Sequence, residues 1–344
     1  MRSVRWNHED EESIPAGRGV SGPSRRRLGP HPRILPVAVA ALCFVAACST
    51  NLSLAGAAAK TIAKSHVKGP NTIIPTPKGL LSISPPALGT IWVLSGTSKA
   101  RELTEIQLGT KTVLAQVGVS AATSNVAVGL GGLLALGTST PSTGSVQLFN
   151  TTTKAVAATR PVAGPVISLA TSKSEIFALE GSATARAVVI LQNALSLPVL
   201  QSIPVAKDAI AVLPPVAGSG ILVLQSNGIV QEISPVTSRV LSTFATGGPS
   251  RAMAVSPDGR TLYVLRYLKH ISSVPGVGAN VGVVDLVTEQ VRRTIPAPAH
   301  CVAILMGGPR LLYDGVGSST YGNIQIYALA PGPSSTTSTT GATS

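Results

Sequence analysis

Short apolar, β-branched runs alternate with polar turns from residue 71 to residue 329, with no long helical periodicity between them. The clearest example begins after Gly247, where Ala252–Val255 and Thr261–Leu265 are separated by Ser256-Pro257-Asp258-Gly259. Proline presets the first angle of a turn, and glycine supplies its left-handed closing position. The pattern therefore predicts a β-hairpin.

A second hairpin is predicted from Asn280–Leu286 and Val291–Ile295, so this region reads as an up-and-down meander of four strands. Fainter copies of the unit precede and follow it. The third strands of all six units are centred near Ile106, Val146, Val189, Val230, Val283 and Ile326. The intervals of about 40 to 53 residues are typical of β-propeller blades, and the longest contains one insertion, Tyr267–Ala279.

The last unit lacks an outer strand, because the chain turns to Pro331-Gly332-Pro333 after Tyr327. Asn71–Pro75 stands alone before the first full unit and fits that position beside Ile324–Tyr327. Borrowing an N-terminal strand closes the ring and leaves no unpaired end. We predict an all-β fold, a single propeller of six four-stranded blades. Seven blades are the alternative.

The unit that begins after Gly247 resembles the YVTN-type, lactonase-like β-propeller repeat. The resemblance rests on Ser256, Pro257, Asp258, Gly259, Arg260, Leu262, Tyr263, Val264, Val281, Val283, Val284, Asp285 and Thr288. It is specific in this unit and only periodic elsewhere. It implies a propeller fold and leaves the chemistry open, since a fold hosts many functions.

In such a meander, the connections between second and third strands share a face with the connections between blades. We expect the longer loops there: Ser95–Arg101, Gly137–Gly144, Gly181–Ala185, Tyr267–Ala279 and Gly315–Gly322. The candidate ligand-binding residues on this face are Arg266, Lys269, His270, Arg101, Arg251 and Tyr321, with Arg160 and His300 beside them. A cationic rim suits an acidic ligand such as a lipid headgroup, a wall phosphate or a carboxylated sugar. Ordinary solvated loop residues are the alternative interpretation.

An uncharged apolar segment, residues 34–47, follows Ser24-Arg25-Arg26-Arg27-Leu28. A positive flank, an apolar core of about 14 residues and small residues after it are the parts of a secretory signal. Val45-Ala46-Ala47-Cys48 also resembles the bacterial lipobox, which implies acylation of Cys48, for example with palmitate. An ordinary signal peptide with a chance cysteine is the alternative, and general and twin-arginine export both stay open.

The predicted organisation has four parts. Residues 1–47 are a signal peptide with a long N-terminal region, 48–70 a lipid-anchored flexible tether, 71–330 the propeller, and 331–344 a disordered tail of Ser, Thr and Pro. We expect the protein to be anchored at the cell membrane on its extracytoplasmic face.

Charge does not indicate nucleic-acid binding, although the formal net charge is +13. Residues 48–344 hold 20 basic and 10 acidic side chains, and the basic ones are scattered singly. No basic run with interleaved aromatic residues occurs. We therefore expect no nucleic-acid partner.

Residues for catalysis are sparse. No His, Cys and carboxylate spacing indicates zinc, no G-x-S-x-G occurs, and Gly129–Gly132 precedes a strand and is therefore no phosphate loop. Asp258 and Asp285 occupy turn and strand-end positions that explain them structurally, and Cys301 is expected to be a small buried hydrophobe. No catalytic residue, metal ligand or cofactor is assigned.

The sequence predicts a monomeric, non-catalytic binding or scaffold module at the cell envelope. Its partner would be an envelope protein, a glycan or another acidic ligand. The alternative is a propeller hydrolase or lactonase/lyase-like enzyme acting on a small extracytoplasmic substrate. Carboxylates or histidines clustered at the mouth of the ring would favour that enzyme.

Overall fold

The computed structural model describes residues 70–129, 131–216, 220–267, 279–298, 300–308, 311–318 and 321–329. Within these residues, 24 strands form six four-stranded antiparallel sheets. The sheets are the blades of a six-bladed β-propeller, which confirms the predicted fold class and blade number. The described residues include no helix that could cross a membrane.

Each blade is a meander that starts at an inner strand and ends at an outer strand. Blade 1 contains β2 (Leu80–Ile83), β3 (Thr90–Gly96), β4 (Arg101–Gln107) and β5 (Thr112–Val119). Blade 2 contains β6 (Thr123–Val128), β7 (Leu133–Ser139), β8 (Gly144–Asn150) and β9 (Ala155–Val162). Blade 3 contains β10 (Val166–Thr171), β11 (Glu175–Gly181), β12 (Arg186–Gln192) and β13 (Val199–Val205).

The second half of the ring repeats this plan, except that the last outer strand comes from the start of the described chain. Blade 4 contains β14 (Ala209–Leu213), β15 (Ile221–Gln225), β16 (Ile229–Ile233) and β17 (Val240–Ala245). Blade 5 contains β18 (Ser250–Val255), β19 (Thr261–Tyr267), β20 (Ala279–Asp285) and β21 (Gln290–Ala297). Blade 6 contains β22 (Cys301–Met306), β23 (Leu311–Gly317), β24 (Gly322–Ala328) and β1 (Thr72–Thr76).

The predicted closure of the ring is confirmed. β1 pairs antiparallel with β24, with Thr72 opposite Ile326 and Thr76 opposite Gly322. This pairing covers the edge that β24 would otherwise expose. The first strand of the ring thus completes its last blade.

The connections define two faces. The turn face carries the connections from first to second and from third to fourth strands. The loop face carries those from second to third strands and those between blades. The expectation that long loops concentrate on the loop face is wrong for most blades. Residues 97–100, 140–143 and 182–185 are short connections, whereas the turn face holds longer ones such as 193–198 and 234–239.

Apolar residues from facing sheets fill the gaps between blades. Six core clusters occur among the described residues, one at each gap between neighbouring blades, because alternate residues of each strand face opposite neighbours. Every inner strand also carries a β-bulge at its start, for example between Ser250 and Ala252 in blade 5. A bulge redirects one side chain. Here the extra residue faces the centre of the ring.

Candidate functional site

A central channel of about 650 Å³ is lined by the inner strands of all six blades. The six bulge residues form one layer near its loop-face end. They are Leu81, Ser124, Ile167, Ile210, Arg251 and Val302. Among the described lining residues, Arg251 carries the only formal charge.

The next layer of the channel is polar on one half and apolar on the other. Blades 1 to 3 contribute Ser82, Asn125 and Ser168, whereas blades 4 to 6 contribute Ala211, Ala252 and Ala303. The polar side chains also connect blades. Ser82 Oγ accepts from the Val126 amide at 3.4 Å, and Ser168 Oγ accepts from the Val212 amide at 3.3 Å. Each of these serine hydroxyls can still donate a hydrogen bond.

Arg251 lies at the channel mouth with Tyr267 of the neighbouring strand. Arg251 Nη1 donates to Tyr267 Oη at 2.6 Å, and Arg251 Cζ lies 5.9 Å from the centroid of that ring. The guanidinium forms no other hydrogen bond with the described residues. A guanidinium can bind a carboxylate or phosphate with two parallel hydrogen bonds, and the described residues leave N–H groups of Arg251 for such a contact.

Tyr321 lies on the same face in blade 6. Its ring stands edge-to-face with the imidazole of His300, with centroids 6.2 Å apart at 80°. His300 has a φ of +60°, in the left-handed region, and its carbonyl oxygen accepts from the Gly317 amide. This pair and Arg251 belong to adjacent blades, whose inner strands β18 and β22 are neighbours around the channel.

The structure places Arg101 and Arg266 between blades. Arg101 Nη1 donates to the Thr123 carbonyl oxygen of blade 2, and burial lowers the pKa of this guanidinium. The ligand role of Arg101 stays a prediction, since this contact already gives the side chain a structural task.

Arg266 is buried, and its guanidinium reaches three partners. Nε donates to Asn280 Oδ1 at 2.7 Å, Nη1 to the Thr246 carbonyl oxygen at 2.7 Å and Nη2 to Thr294 Oγ1 at 2.8 Å. Burial lowers the pKa of this guanidinium as well. These bonds join the end of blade 4 to three strands of blade 5. A ligand role for Arg266 also stays a prediction.

Other sequence predictions lie outside the described residues. Lys269 and His270 belong to residues 268–278, and Cys48 precedes residue 70. The signal peptide, the tether before residue 70 and the tail after residue 330 lie outside as well.

The two aspartates of blade 5 make structural contacts. Asp258 Oδ1 accepts from Ser256 Oγ and from the Arg260 amide, and the serine contact is the main reason for its lowered pKa. Asp285 Oδ1 accepts from the Val287 and Thr288 amides at 2.7 and 2.9 Å, while its other oxygen pairs with Arg292. Both carboxylates thus fix turns, as the sequence predicts.

Cys301 is buried within the core between blades 5 and 6, which confirms the expected apolar role. Burial is the main cause that raises the pKa of its thiol well above the ordinary value. Among the described residues, no three His, Cys, Asp or Glu side chains are grouped as a metal site would require.

Sequence reasoning missed two features of this region. The first is the bulge that directs Arg251 into the channel, since a shift of one residue between two strands leaves no compositional signal. The second is Asp314 of β23, which is 1 % exposed and whose two carboxylate oxygens have no hydrogen-bond partner in the described part of the chain. The sequence did contain a signal for Asp314, because Tyr313-Asp314-Gly315 interrupts an apolar run that predicts a buried strand. A carboxyl group in a buried strand is unusual.

Comparisons with known proteins give the fold alone. A chain of the structure described as "Crystal Structure of Mitotic Checkpoint Complex" is similar to this one, with a TM-score of 0.54 and 12% sequence identity. The similarity covers 76% of this chain and 92% of that chain. No family model matches the chain, and the search of curated proteins found no match. The chain is a six-bladed β-propeller.

Proposed function

We propose that this protein is an exported, lipid-anchored β-propeller of the YVTN type that binds an acidic ligand at the loop-face mouth of its channel. The observation that carries the proposal is the isolation of Arg251. It is the only charged side chain among the described lining residues, and its guanidinium donates a single hydrogen bond to them.

The surroundings of Arg251 favour binding over chemistry. Besides Arg251, the described channel residues are apolar side chains, serines, an asparagine, a threonine and a tyrosine, with no carboxyl or thiol among them. The described imidazole on this face, that of His300, does not line the channel. A hydrolase needs a general base within hydrogen-bond reach of the proton it removes. The two aspartates of blade 5, Asp258 and Asp285, stand at the turn-face end of their strands and stabilise turns with their own oxygens.

The channel mouth can also recognise the rest of such a ligand. Tyr267 offers an aromatic face to the guanidinium, and Ser82 and Ser168 offer hydroxyl donors deeper inside. The His300–Tyr321 pair adds aromatic surface on the same face of the adjacent blade. An acidic group at Arg251 with a small polar body would therefore find partners along the blade 1 to 3 side. This arrangement suits the headgroups, wall phosphates and acidic sugars of a bacterial envelope.

The support for export and anchoring is in the sequence. Residues 34–47 have the length and composition of a signal core, and Val45-Ala46-Ala47-Cys48 has the pattern of a lipobox. Acylation of Cys48 would hold the propeller on the extracytoplasmic side of the cell membrane, since several acyl chains give stable anchoring where one does not.

The experiment is a binding titration of the full chain with glycerol phosphate and, separately, with glucuronate. Calorimetry or ligand-observed NMR measures the affinity. We expect saturable binding of at least one probe and about tenfold weaker binding in Arg251→Ala, the size of a lost charged hydrogen bond. The exposed residue Arg239 lies on the opposite, turn face and forms no ion pair with the described residues, so Arg239→Ala is the matched control.

Two results contradict the proposal. Equal affinities in Arg251→Ala and Arg239→Ala would show that the Arg251 guanidinium does not bind the ligand. Turnover of a panel of lactones by the wild-type chain, absent from Arg251→Ala, would instead establish an enzyme. Anchoring is tested separately by acyl labelling of the wild-type chain and of Cys48→Ala.

A further inference from the structure

Exposed apolar side chains are concentrated on the turn face. Four of them stand at the tips of its connections: Leu88, Leu195, Val236 and Val287. Val236 is 88 % exposed, Val287 79 % and Leu195 63 %, and Leu88 is fully exposed. The loop face, by contrast, exposes only Leu81, Tyr267 and Tyr321 among the large hydrophobic residues described there, each no more than 40 % exposed.

A second set of exposed apolar residues continues this surface onto the rim. The outer strands begin at the turn face, and their first residues include exposed apolar side chains. They are Val113 and Leu114 in blade 1, Val156 in blade 2, Val199 and Leu200 in blade 3, and Val240 and Leu241 in blade 4. Blades 3 and 4 are joined there, because Gln201 Nε2 donates to Ser238 Oγ at 2.8 Å. Their apolar residues therefore lie on one connected part of the rim.

Cations accompany the apolar tips on the same face. Lys111, Lys173 and Arg239 are exposed in turn-face connections of blades 1, 3 and 4. None of the three forms an ion pair with a described residue. The exposed Asp258 lies on the same face in blade 5, next to blade 4. Blades 1, 3 and 4 thus present apolar and basic side chains together.

The chain also enters the ring at this face. Third strands run from the loop face to the turn face, so Ile326 lies nearer the turn face than Gly322. Since Thr72 pairs with Ile326 and Thr76 pairs with Gly322, β1 starts at the turn face. The segment that leads back to Cys48 therefore leaves the propeller from the face that carries the apolar tips.

We propose that the turn face docks on the surface of an anionic lipid bilayer, with Leu88, Leu195 and Val236 inserted between headgroups and Lys111, Lys173 and Arg239 beside the phosphates. The inference rests on the proposed anchoring at Cys48. About 20 residues separate Cys48 from β1, a reach of up to roughly 70 Å, so the anchor allows the contact without forcing it. In this orientation the loop-face mouth of the channel, where Arg251 lies, faces away from the membrane.

The form of the surface favours a bilayer over a protein partner. The tips belong to separate turns of different blades and project singly, whereas a protein interface has a buried apolar core at its centre. A bilayer interface accommodates separated apolar groups, each reaching about 5–10 Å into the headgroup region, and attracts cations to anionic lipids. A second copy of the chain would present the same projecting tips.

The test uses tryptophan reporters in the full acylated chain on vesicles of phosphatidylglycerol and phosphatidylcholine with brominated acyl chains. Val236→Trp reports on the turn face, and Tyr321→Trp is the matched reporter on the loop face. Both positions are exposed, so neither change disturbs the core. We expect the brominated acyl chains to quench at least about half of the fluorescence that the tryptophan of Val236→Trp adds, because only inserted groups reach the acyl boundary. They should quench almost none of the fluorescence that the tryptophan of Tyr321→Trp adds.

The outcomes separate docking from anchoring. Vesicle-bound chain with equal quenching of the two reporters would overturn the docking proposal and leave the anchor intact. Chain that does not sediment with vesicles at all would overturn both. Quenching of Val236→Trp that is unchanged on pure phosphatidylcholine would overturn the preference for anionic lipid. A dimer in detergent that Val236→Asp dissociates would assign the turn face to a second copy.

Discussion

Arg101 Nη1 donates a hydrogen bond to the carbonyl oxygen of Thr123, the first residue of the next blade's inner strand. The same contact recurs two blades further on, where Arg186 Nη1 donates to the carbonyl oxygen of Ala209. Both arginines begin a third strand, and both acceptors precede a bulge. In blades 1 and 3, one residue type thus holds consecutive blades together at the same position.

Loss of either contact should loosen the ring. We expect Arg101→Met or Arg186→Met to lower the free energy of unfolding by about 1–3 kcal/mol, because the buried carbonyl oxygen loses a charged donor. Urea denaturation monitored by circular dichroism gives the values. Arg160→Met, an exposed change on β9, is the control and should stay within about 0.5 kcal/mol of the wild type. Equal effects in all three variants would contradict an interblade role.

The closing strand offers a control from its own sequence. Ile74 is 0 % exposed and belongs to the core between blades 6 and 1, whereas its neighbour Ile73 is 51 % exposed. We expect Ile74→Ala to cost about 2–5 kcal/mol and Ile73→Ala less than about 1 kcal/mol, because only the former leaves a cavity. Thermal unfolding of both variants tests this. Similar losses would mean that β1 is not seated as described.

Asp314 should make stability fall as pH rises. Burial raises the pKa of its carboxyl from 3.8 to about 7. Between these values the folded protein keeps the proton that the unfolded chain releases, so folding becomes less favourable as pH increases, and the loss is complete above about pH 7. The predicted change is on the order of 4 kcal/mol. Unfolding curves across this pH range measure it, and Asp314→Asn should remove this dependence.

Replacement of Asp314 by an apolar residue should stabilise the fold. The residues at the same register in the other blades are Val93, Leu136, Ala178, Val223 and Val264, all apolar. We expect Asp314→Val to raise the free energy of unfolding by about 1–3 kcal/mol at neutral pH, because an unpaired buried polar group is removed. Ala178→Val at the same position of blade 3 is the control for added volume. A destabilised Asp314→Val would indicate a partner for the carboxyl.

The thiol of Cys301 should be inert in the native protein. It is 1 % exposed, and burial together with the charge of Asp314 raises its pKa, so little thiolate forms. Alkylation with iodoacetamide, mapped by mass spectrometry, should leave Cys301 unmodified until urea unfolds the chain. Rapid modification under native conditions would show that the gap between blades 5 and 6 opens.

The sequence was sufficient for the architecture because propeller repeats are local. Ser256–Gly259 and the spacing of third strands each report on one blade, and the missing last strand follows from the chain breaking into Pro331-Gly332-Pro333. Loop lengths were misjudged because the strands extend further than their apolar runs, as in Arg101–Gln107.

The site was harder to predict because it depends on register and on neighbouring blades. Arg251, Arg101 and Arg266 look alike in the sequence, as cations near strand ends. A bulge turns the first into the channel, whereas the other two reach carbonyl oxygens of adjacent elements. Asp314 likewise stands out only when the six blades are aligned by strand register, because the other five blades have an apolar residue at that position.

The pairing of β1 with β24 also sets an order for folding. The strand synthesised first has its only sheet partner about 250 residues later, so this contact is among the longest-range in the chain and forms slowly. Until residues 322–328 are synthesised, Ile73 and Ile74 have no sheet to join and remain accessible to chaperones. Ring assembly must therefore finish after synthesis of the final blade.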